Sequence, residues 1–442
     1  MAVNVLRLHH VAFHVLNAEK LICDLVSKYK FNLHASRVTD RCRQVAFRKG
    51  SAVFVVHEGS GSAETSDWLL GEALRVNEGK THRRGNGSPA GLYDASPRHP
   101  VDTVSNVCFE VENVERSFKV LSELGCGFLV PPTTVQDDHG LVTYSVLRSI
   151  VGNVCHTLID KSKYGGGFLP GFDTPDPERD CSLLEEDVSC PVTHFDHVTY
   201  ACHQKSTHQV MGWYEKMFGF RRFFIVRNED EDEGCVIHDK GIGLRLAAMQ
   251  YWKCSEVGIA LPFKNKKEPD CKFVIAESLP NQGSNQVDTF LEQHNGPGIQ
   301  HIALYTKNIV STTHTLAEAG VQFFSPPPAY YTEVGKRQEI EEVGHTPQML
   351  AQHGILLDAD VNQDLSSQNG NTENKKYLLQ VFTKPIFNED TFFLELIERK
   401  GATGFGEGNI KALWKCVEAY MENERQDSQR AGAPKTVRTA QY

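Results

Sequence analysis

The chain has 442 residues, a formal net charge of −10 and a pI near 6.0, which argues against nucleic acid or an anionic membrane surface as its main partner. An apolar fraction of 40% is ample for buried cores, the length favours two domains over one, and no apolar run is long enough to span a bilayer. The 12 cysteines are scattered with no CxxC pair, as expected of reduced thiols in an intracellular enzyme.

The N-terminus, MAVNVLRLHHVAFHVLNA, carries no acid before Glu19 and a single arginine. A cleaved transit peptide would want more Arg and Ser, and the stretch doubles as a first strand, so residue physics leaves the compartment open. LRLHHVAFHV (6–15) predicts a strand and the run around Lys20–Tyr29 a helix. THFDHVTYAC (193–202) and the helical HQVMGWYEKMFGF repeat that order, with His197 falling on His10.

A second repeat pairs SNVCFEVENVERSFKVLSELGCGFLVPP (105–132) with QHIALYTKNIVSTTHTLAEAGVQFFSPP (300–327). Each reads as a strand, a helix ending at Gly125 or Gly320, and a strand running into prolines. Val114, Phe118, Leu121 and Leu124 stand at helical spacing. A third pair closes the halves: NVCHTLIDKSKYGGGF (153–168) resembles FFLELIERKGATGFGEG (392–408), with Thr157 opposite Glu395.

The repeats therefore predict an α+β chain of two homologous halves, each holding two modules of a strand, a helix and further strands. The expected boundaries are 1–172, a Pro- and acid-rich linker at 173–190, 191–424, and a polar disordered tail at 425–442. Residues 58–100 and 359–376 read as polar excursions, and Asn228–Glu233 as an acidic loop.

The run 391–409 carries the chemistry. Phe392, Phe393, Leu394, Leu396 and Ile397 predict a buried strand, yet Glu395 sits within it, and a carboxylate there needs a cation or strong hydrogen bonds. A Gly-rich turn and an amphipathic helix with Ile410, Leu413, Trp414, Val417 and Tyr420 on one side follow it. The second half offers His197, His301 and Glu395 at three equivalent inner-strand positions, where the first half offers His10, Asn106 and Thr157. Only the second set has two imidazoles and a carboxylate, the facial triad suited to non-haem Fe(II). Taken singly, either histidine reads as a core residue satisfied by backbone; their shared register moves the reading to a metal. The first half then reads as a metal-free structural partner. Gln286, Gln300 and Gln380 are polar groups nearby, for which cross-strand hydrogen bonding and substrate contact are equal alternatives.

FDHV around His197, GPGIQHIAL around His301, LLQVFTKP and FFLELIERKGATGFGEGN resemble the 4-hydroxyphenylpyruvate dioxygenase family of the vicinal oxygen chelate fold, over most of the chain. FVIAESLP, PPPAYY, GILLDAD and GNIKALW favour a dioxygenase-like branch of it. The resemblance implies an α+β fold of four βαβββ-type modules in two homologous domains, each an open mixed-sheet barrel with outer helices, and Fe(II) held by His197, His301 and Glu395. It implies substrate contacts at Gln286, Gln300, Gln380, Phe382, Phe393, Phe405 and Asn409, under a C-terminal lid helix. It departs from the dioxygenase pattern at Leu246, where the pattern has serine, at Ala276, where it has asparagine, and at Ile410 and Trp414, where it has phenylalanine. With the pocket wall so altered, the resemblance implies conversion of 4-hydroxyphenylpyruvate and O2 to 4-hydroxymandelate for the ubiquinone head group, in mitochondria. The alternatives are homogentisate formation in tyrosine breakdown, with a cytoplasmic location, or a metal-free binding protein of the same fold. An extradiol dioxygenase fits less well. A homodimer is compatible with the resemblance.

Overall fold

The computed structural model of the chain describes residues 3–39, 42–59, 91–95, 99–175, 189–225, 229–230, 233–239, 242–251, 271–332, 336–359 and 375–416. Most of the excursions expected at 58–100 and 359–376, most of the 173–190 linker, Val417, Tyr420 and the 425–442 tail lie outside the described residues. No disulfide joins the described cysteines.

The first half runs β1 (Val5–Val15), α1 (Ala18–Ser27), β2 (Asn32–Val38), β3 (Cys42–Lys49), β4 (Ala52–Gly59), β5 (Thr103–Val111), α2 (Val114–Glu123), β6 (Phe128–Asp137), β7 (Gly140–Arg148) and β8 (Cys155–Asp160). The second runs β9 (Val192–Cys202), α3 (Thr207–Phe218), β10 (Arg221–Phe223), β11 (Cys235–Asp239), β12 (Ile242–Gln250), β13 (Lys272–Ser278), α4 (Gln286–Gln293), β14 (Gly298–Thr306) and α5 (Ile309–Glu318). It ends with α6 (Ala329–Thr332), α7 (Lys336–Glu342), α8 (Pro347–His353), β15 (Leu356–Ala359), β16 (Tyr377–Phe382), β17 (Phe393–Lys400) and a helix, α9, at 407–416.

The strand order β2-β3-β4-β1-β5-β8-β7-β6 is matched by β10-β12-β13-β9-β14-β17-β16-β15, with β11 added on β12. The register repeats as well. His10 pairs with Cys108 and Asn106 with Cys155 in one sheet; His197 pairs with Ala303 and His301 with Phe393 in the other. Both sheets are mixed, with parallel pairs at β1–β4 and β5–β8 and again at β9–β13 and β14–β17. These are two curled half-barrels of an α+β vicinal oxygen chelate fold.

The repeat has a local cause at its helix starts. Asn17, Asn113 and Asn308 accept from the backbone N–H of Glu19, Arg116 and Ser311, caps worth about 1 kcal/mol each. Helix α3 lacks that cap; Glu277 on β13 accepts from the N–H groups of Ser206 and Thr207 instead, both at 3.0 Å. The second proline-bounded strand does not form as its counterpart does. β6 runs through Pro131 and Pro132 with register shifts, as a sheet edge tolerates. After Gly320 only an isolated bridge, Phe323 to Thr383, remains, and β15 takes the edge position. Pro326–Pro328 offer no N–H to a ladder, and the chain turns into α6 there.

The outer faces of the two sheets share one core. Phe13 meets Phe392 edge-on at 5.4 Å and Phe54 meets Phe195 at 5.1 Å. Each such ring contributes about 1.5–3 kcal/mol by burial. The inner faces differ. In the first half, Tyr93, Phe168 and Leu169 fill the curl against Ala12, Val55 and Tyr144. In the second, the inner apolar cluster lies beside a set of polar side chains on β9, β14 and β17.

Candidate metal centre

β9, β14 and β17 are adjacent central strands, so side chains of one face converge above them. Ala303 lies between His197 and Glu395 in the ladder, and its small side chain leaves space for both. His301 stands one inner-facing position away on β14. His197 Nε2 lies 3.3 Å, and His301 Nε2 3.6 Å, from Glu395 Oε2. All three ligand atoms fall within 4.8 Å of one another.

The other ring nitrogens are occupied. His197 Nδ1 lies 2.8 Å from Asp196 Oδ1, and His301 Nδ1 donates to Gln300 Oε1 at 3.2 Å. Each Nε2 therefore faces the shared point, as partners on a ligating histidine's second nitrogen arrange. Asp196 is itself fixed by Arg399, which donates to both carboxylate oxygens at 2.7 Å. Arg399 also donates to Gly404 O at 2.6 Å and lies over the Phe405 ring, tying the Gly-rich turn to the centre.

The electrostatics follow from burial. Burial pushes the Glu395 carboxyl up, opposed mainly by His197. Burial works against a proton on His197, but Glu395 and Asp196 outweigh it and raise the imidazole above its ordinary value. Burial and the neighbouring His197 hold His301 well below that value, so it is a neutral donor. Burial disfavours charge on Asp196, but Arg399 holds it well below the usual carboxylate range. Two imidazoles and a carboxylate at this spacing fit a divalent ion of the first transition row.

The aromatic and amide residues expected around the centre are mostly there. Phe393 stacks on His301 at 4.8 Å, Phe405 meets His197 edge-on at 5.0 Å, and Phe382 lies 6.5 Å from His301. Gln380 Nε2 donates to Glu395 Oε1 at 3.4 Å, and Asn409 Nδ2 donates to Gln380 Oε1 at 2.8 Å. A Cβ at Gly406 would overlap Gln380 Oε1, and its φ of +81° suits glycine, so the turn can approach only as glycine. Gln286 is not brought to this group. It is the exposed first residue of α4, and the preceding Asn285 caps that helix.

Helix α9 is rotated from the expected face. Asn409, Ala412 and Cys416 are buried, while Ile410, Leu413 and Trp414 are half-buried. The Asn409 hydrogen bond sets that rotation. Leu246 and Ala276 are direct partners across β12 and β13, and Ile410, Trp414 and Phe405 join them in one apolar cluster. The four departures noted in the sequence thus form one contiguous wall.

The Asp196–Arg399 pair was not anticipated, although Asp196 stands within FDHV. Nothing local links residues so far apart, and only strand order brings them together.

Residues 194–344 match the Glyoxalase/Bleomycin resistance protein/Dioxygenase superfamily. The chain is 39% identical over 426 residues to a human 4-hydroxyphenylpyruvate dioxygenase-like protein, covering 95% of this chain and 98% of that one. It is 33% identical over 322 residues to the 4-hydroxyphenylpyruvate dioxygenase of Yarrowia lipolytica, covering 72% of each. A substituted 4-hydroxymandelate synthase from Streptomyces coelicolor has the same fold, with a TM-score of 0.66 and 21% identity over 95% of this chain and all of that one. With a shared sequence pattern over this length and a converged His–His–Glu group, the chain belongs to the 4-hydroxyphenylpyruvate dioxygenase family.

Proposed function

We propose that this chain is an Fe(II)-dependent oxygenase that converts 4-hydroxyphenylpyruvate and O2 to 4-hydroxymandelate and CO2. The observation that carries the reading is the pairing of an intact His197–His301–Glu395 group with an apolar wall at Leu246 and Ala276. Bound Fe(II) would supply a chelation point for a 2-oxo acid and the redox chemistry with O2. His197, His301 and Glu395 would hold it by one side, leaving the opposite side to substrate.

The remaining work is orientation. Phe382, Phe393 and Phe405 offer flat apolar surface to an aromatic ring. Gln300 and Gln380 are buried amides, each already engaged, and they keep His301 and Glu395 in place. Helix α9 and the turn at Phe405 pack against the same apolar cluster through Ile410 and Trp414, which would limit water beside bound substrate. Serine and asparagine at the wall could bind a phenol hydroxyl; Leu246 and Ala276 cannot. A ring no longer held from that side can present its benzylic carbon instead of its ring carbon, and such placement decides between competing outcomes. Ring attack yields homogentisate and benzylic attack yields 4-hydroxymandelate. We further infer a mitochondrial location and a role in making the ubiquinone head group, both resting on the resemblance to the dioxygenase-like branch.

Incubation of iron-loaded protein with 4-hydroxyphenylpyruvate under O2, with products separated by mass, tests the reading. 4-Hydroxymandelate as the main product supports it. Homogentisate as the sole product would return the chain to tyrosine breakdown, and no turnover by fully loaded protein would leave a binding role.

A further inference from the structure

We propose that the N-terminal half holds a second divalent-metal site, made by His14, His57 and Asp94. The expectation from sequence is a metal-free first half, because Asn106 and Thr157 stand where His301 and Glu395 do. The structure supplies a different donor set, displaced along the same strands.

His14 on β1 and His57 on β4 are direct partners in the parallel ladder, with ring centroids 5.0 Å apart. Asp94 comes from the segment 91–95, which crosses the inner face of the curl. His14 Nε2 lies 2.9 Å, and His57 Nδ1 3.6 Å, from Asp94 Oδ2, and the three atoms lie within 4.8 Å of one another. An ion with ligand bonds of about 2.0–2.2 Å separates neighbouring ligand atoms by roughly 3.0–3.6 Å. The C-terminal centre is similarly spaced, at 3.3 and 3.6 Å.

The three side chains are 8%, 3% and 4% exposed. Their converging atoms, His14 Nε2, His57 Nδ1 and Asp94 Oδ2, face only one another: the two imidazoles share one carboxylate oxygen, and none of the three has a hydrogen-bond partner outside the trio. One carboxylate oxygen between two buried imidazoles leaves the cluster short of partners, and a single cation among them would serve all three atoms. The atoms facing away are held. His14 Nδ1 meets Ser105 Oγ, and Asp94 Oδ1 accepts from Ala95 N at 2.8 Å and from Asn106 Nδ2. Asn106 also donates to Thr157 Oγ1, which in turn donates to Tyr93 O, both at 2.8 Å. The residues equivalent to His301 and Glu395 thus position a ligand instead of being one, the role of supporting partners at metal sites.

The segment that brings Asp94 is pinned. Gln44 Nε2 donates to Leu92 O at 2.9 Å and Gln44 Oε1 accepts from Leu92 N at 3.1 Å; Tyr93 OH donates to Pro170 O. A Cβ at Gly91 would overlap His57 Cε1, so the backbone there makes room for the ring. The third convergent group, His9, His10 and Cys108, is weaker: the two Nδ1 atoms lie 2.8 Å apart and satisfy each other, and no carboxylate joins them. Two imidazoles and a carboxylate suit a first-row divalent ion such as zinc, held by three protein ligands.

The test uses the full chain, stripped with chelator, reloaded with Zn2+, gel-filtered and measured for metal by mass spectrometry. Glu395→Ala removes the C-terminal ligand, so that variant is expected to keep one tight ion, and Glu395→Ala with Asp94→Asn to keep none. Failure of the C-terminal centre alone would look different: wild type would hold one ion, lost on Asp94→Asn and untouched by Glu395→Ala. A folded Glu395→Ala chain that binds no zinc, or an ion count unmoved by Asp94→Asn, overturns the proposal. As a readout that needs no second variant, Co2+ added to Glu395→Ala protein should give visible d–d absorption and raise the melting temperature. Absence of both would also overturn it.

Discussion

Asn409 on helix α9 donates its side-chain amide to Gln380 Oε1 on β16 at 2.8 Å, and Gln380 in turn donates to Glu395. On its other side Asn409 Oδ1 accepts from Tyr330 OH at 2.7 Å, and that hydroxyl accepts from Leu357 N at 2.9 Å. The closing helix is therefore coupled to the ligand carboxylate through one buried amide chain. Ala412 and Cys416 of the same helix are buried in the main core, so polar and apolar contacts together hold it.

Asn409→Ala should leave Gln380 Oε1 without its donor and remove one partner from Tyr330. The expected cost is about 1–3 kcal/mol, confined to the helix end of the structure. Hydrogen exchange across 407–416 should accelerate while metal content stays near that of the wild type. Unchanged exchange there would show that the helix is held by apolar contact alone.

Asp196→Asn should keep the fold but weaken metal binding about 10–100-fold, because the charged partner of His197 Nδ1 is lost. Chelator competition measures it. Both changes break a buried ion pair and should cost about 3–5 kcal/mol in urea unfolding, but Arg399→Met leaves the carboxylate on His197 Nδ1, so its metal affinity should fall less. Equal effects of the two changes on both readouts would contradict the separate roles.

Acid should destabilise the protein in a defined window. Burial lowers His156 to about 4, against the small raising effect of its bond to Val107 O. Its Nε2 lies 2.8 Å from Tyr214 OH of the other half, within a buried interface. The unfolded chain binds this proton near pH 6.5 and the folded chain only near 4, so stability is full above about pH 6.5 and falls as pH drops toward 4. Burial lowers His10 and His294 to about 4 as well, adding to the same slope. Urea midpoints across this range should fall less steeply for His156→Gln than for wild type.

Leu246→Ser with Ala276→Asn should restore polar groups at two paired positions of the wall. The product ratio should shift from 4-hydroxymandelate toward homogentisate, read by chromatography of the reaction mixture. The larger asparagine should cost about 1–3 kcal/mol, seen as a lower melting temperature. A ratio unmoved by the pair would mean that another element sets ring placement.

The repeat was legible because its signals are local: apolar strands, helical spacing between them, and glycine at Gly125 and Gly320. Register then carried His197, His301 and Glu395 to equivalent places, since homologous strands pair alike. The strand expected after Gly320 was misjudged because three prolines there outweigh the apolar run that its counterpart shows.

The sequence alone carries the repeated strands and helices and the register that lines up His197, His301 and Glu395, since period and register need only neighbours along the chain. Which groups support them was decided by strand order in three dimensions. That order alone brings Arg399 to Asp196, sets Leu246 against Ala276, and carries Asp94 from a segment without periodicity to His14 and His57.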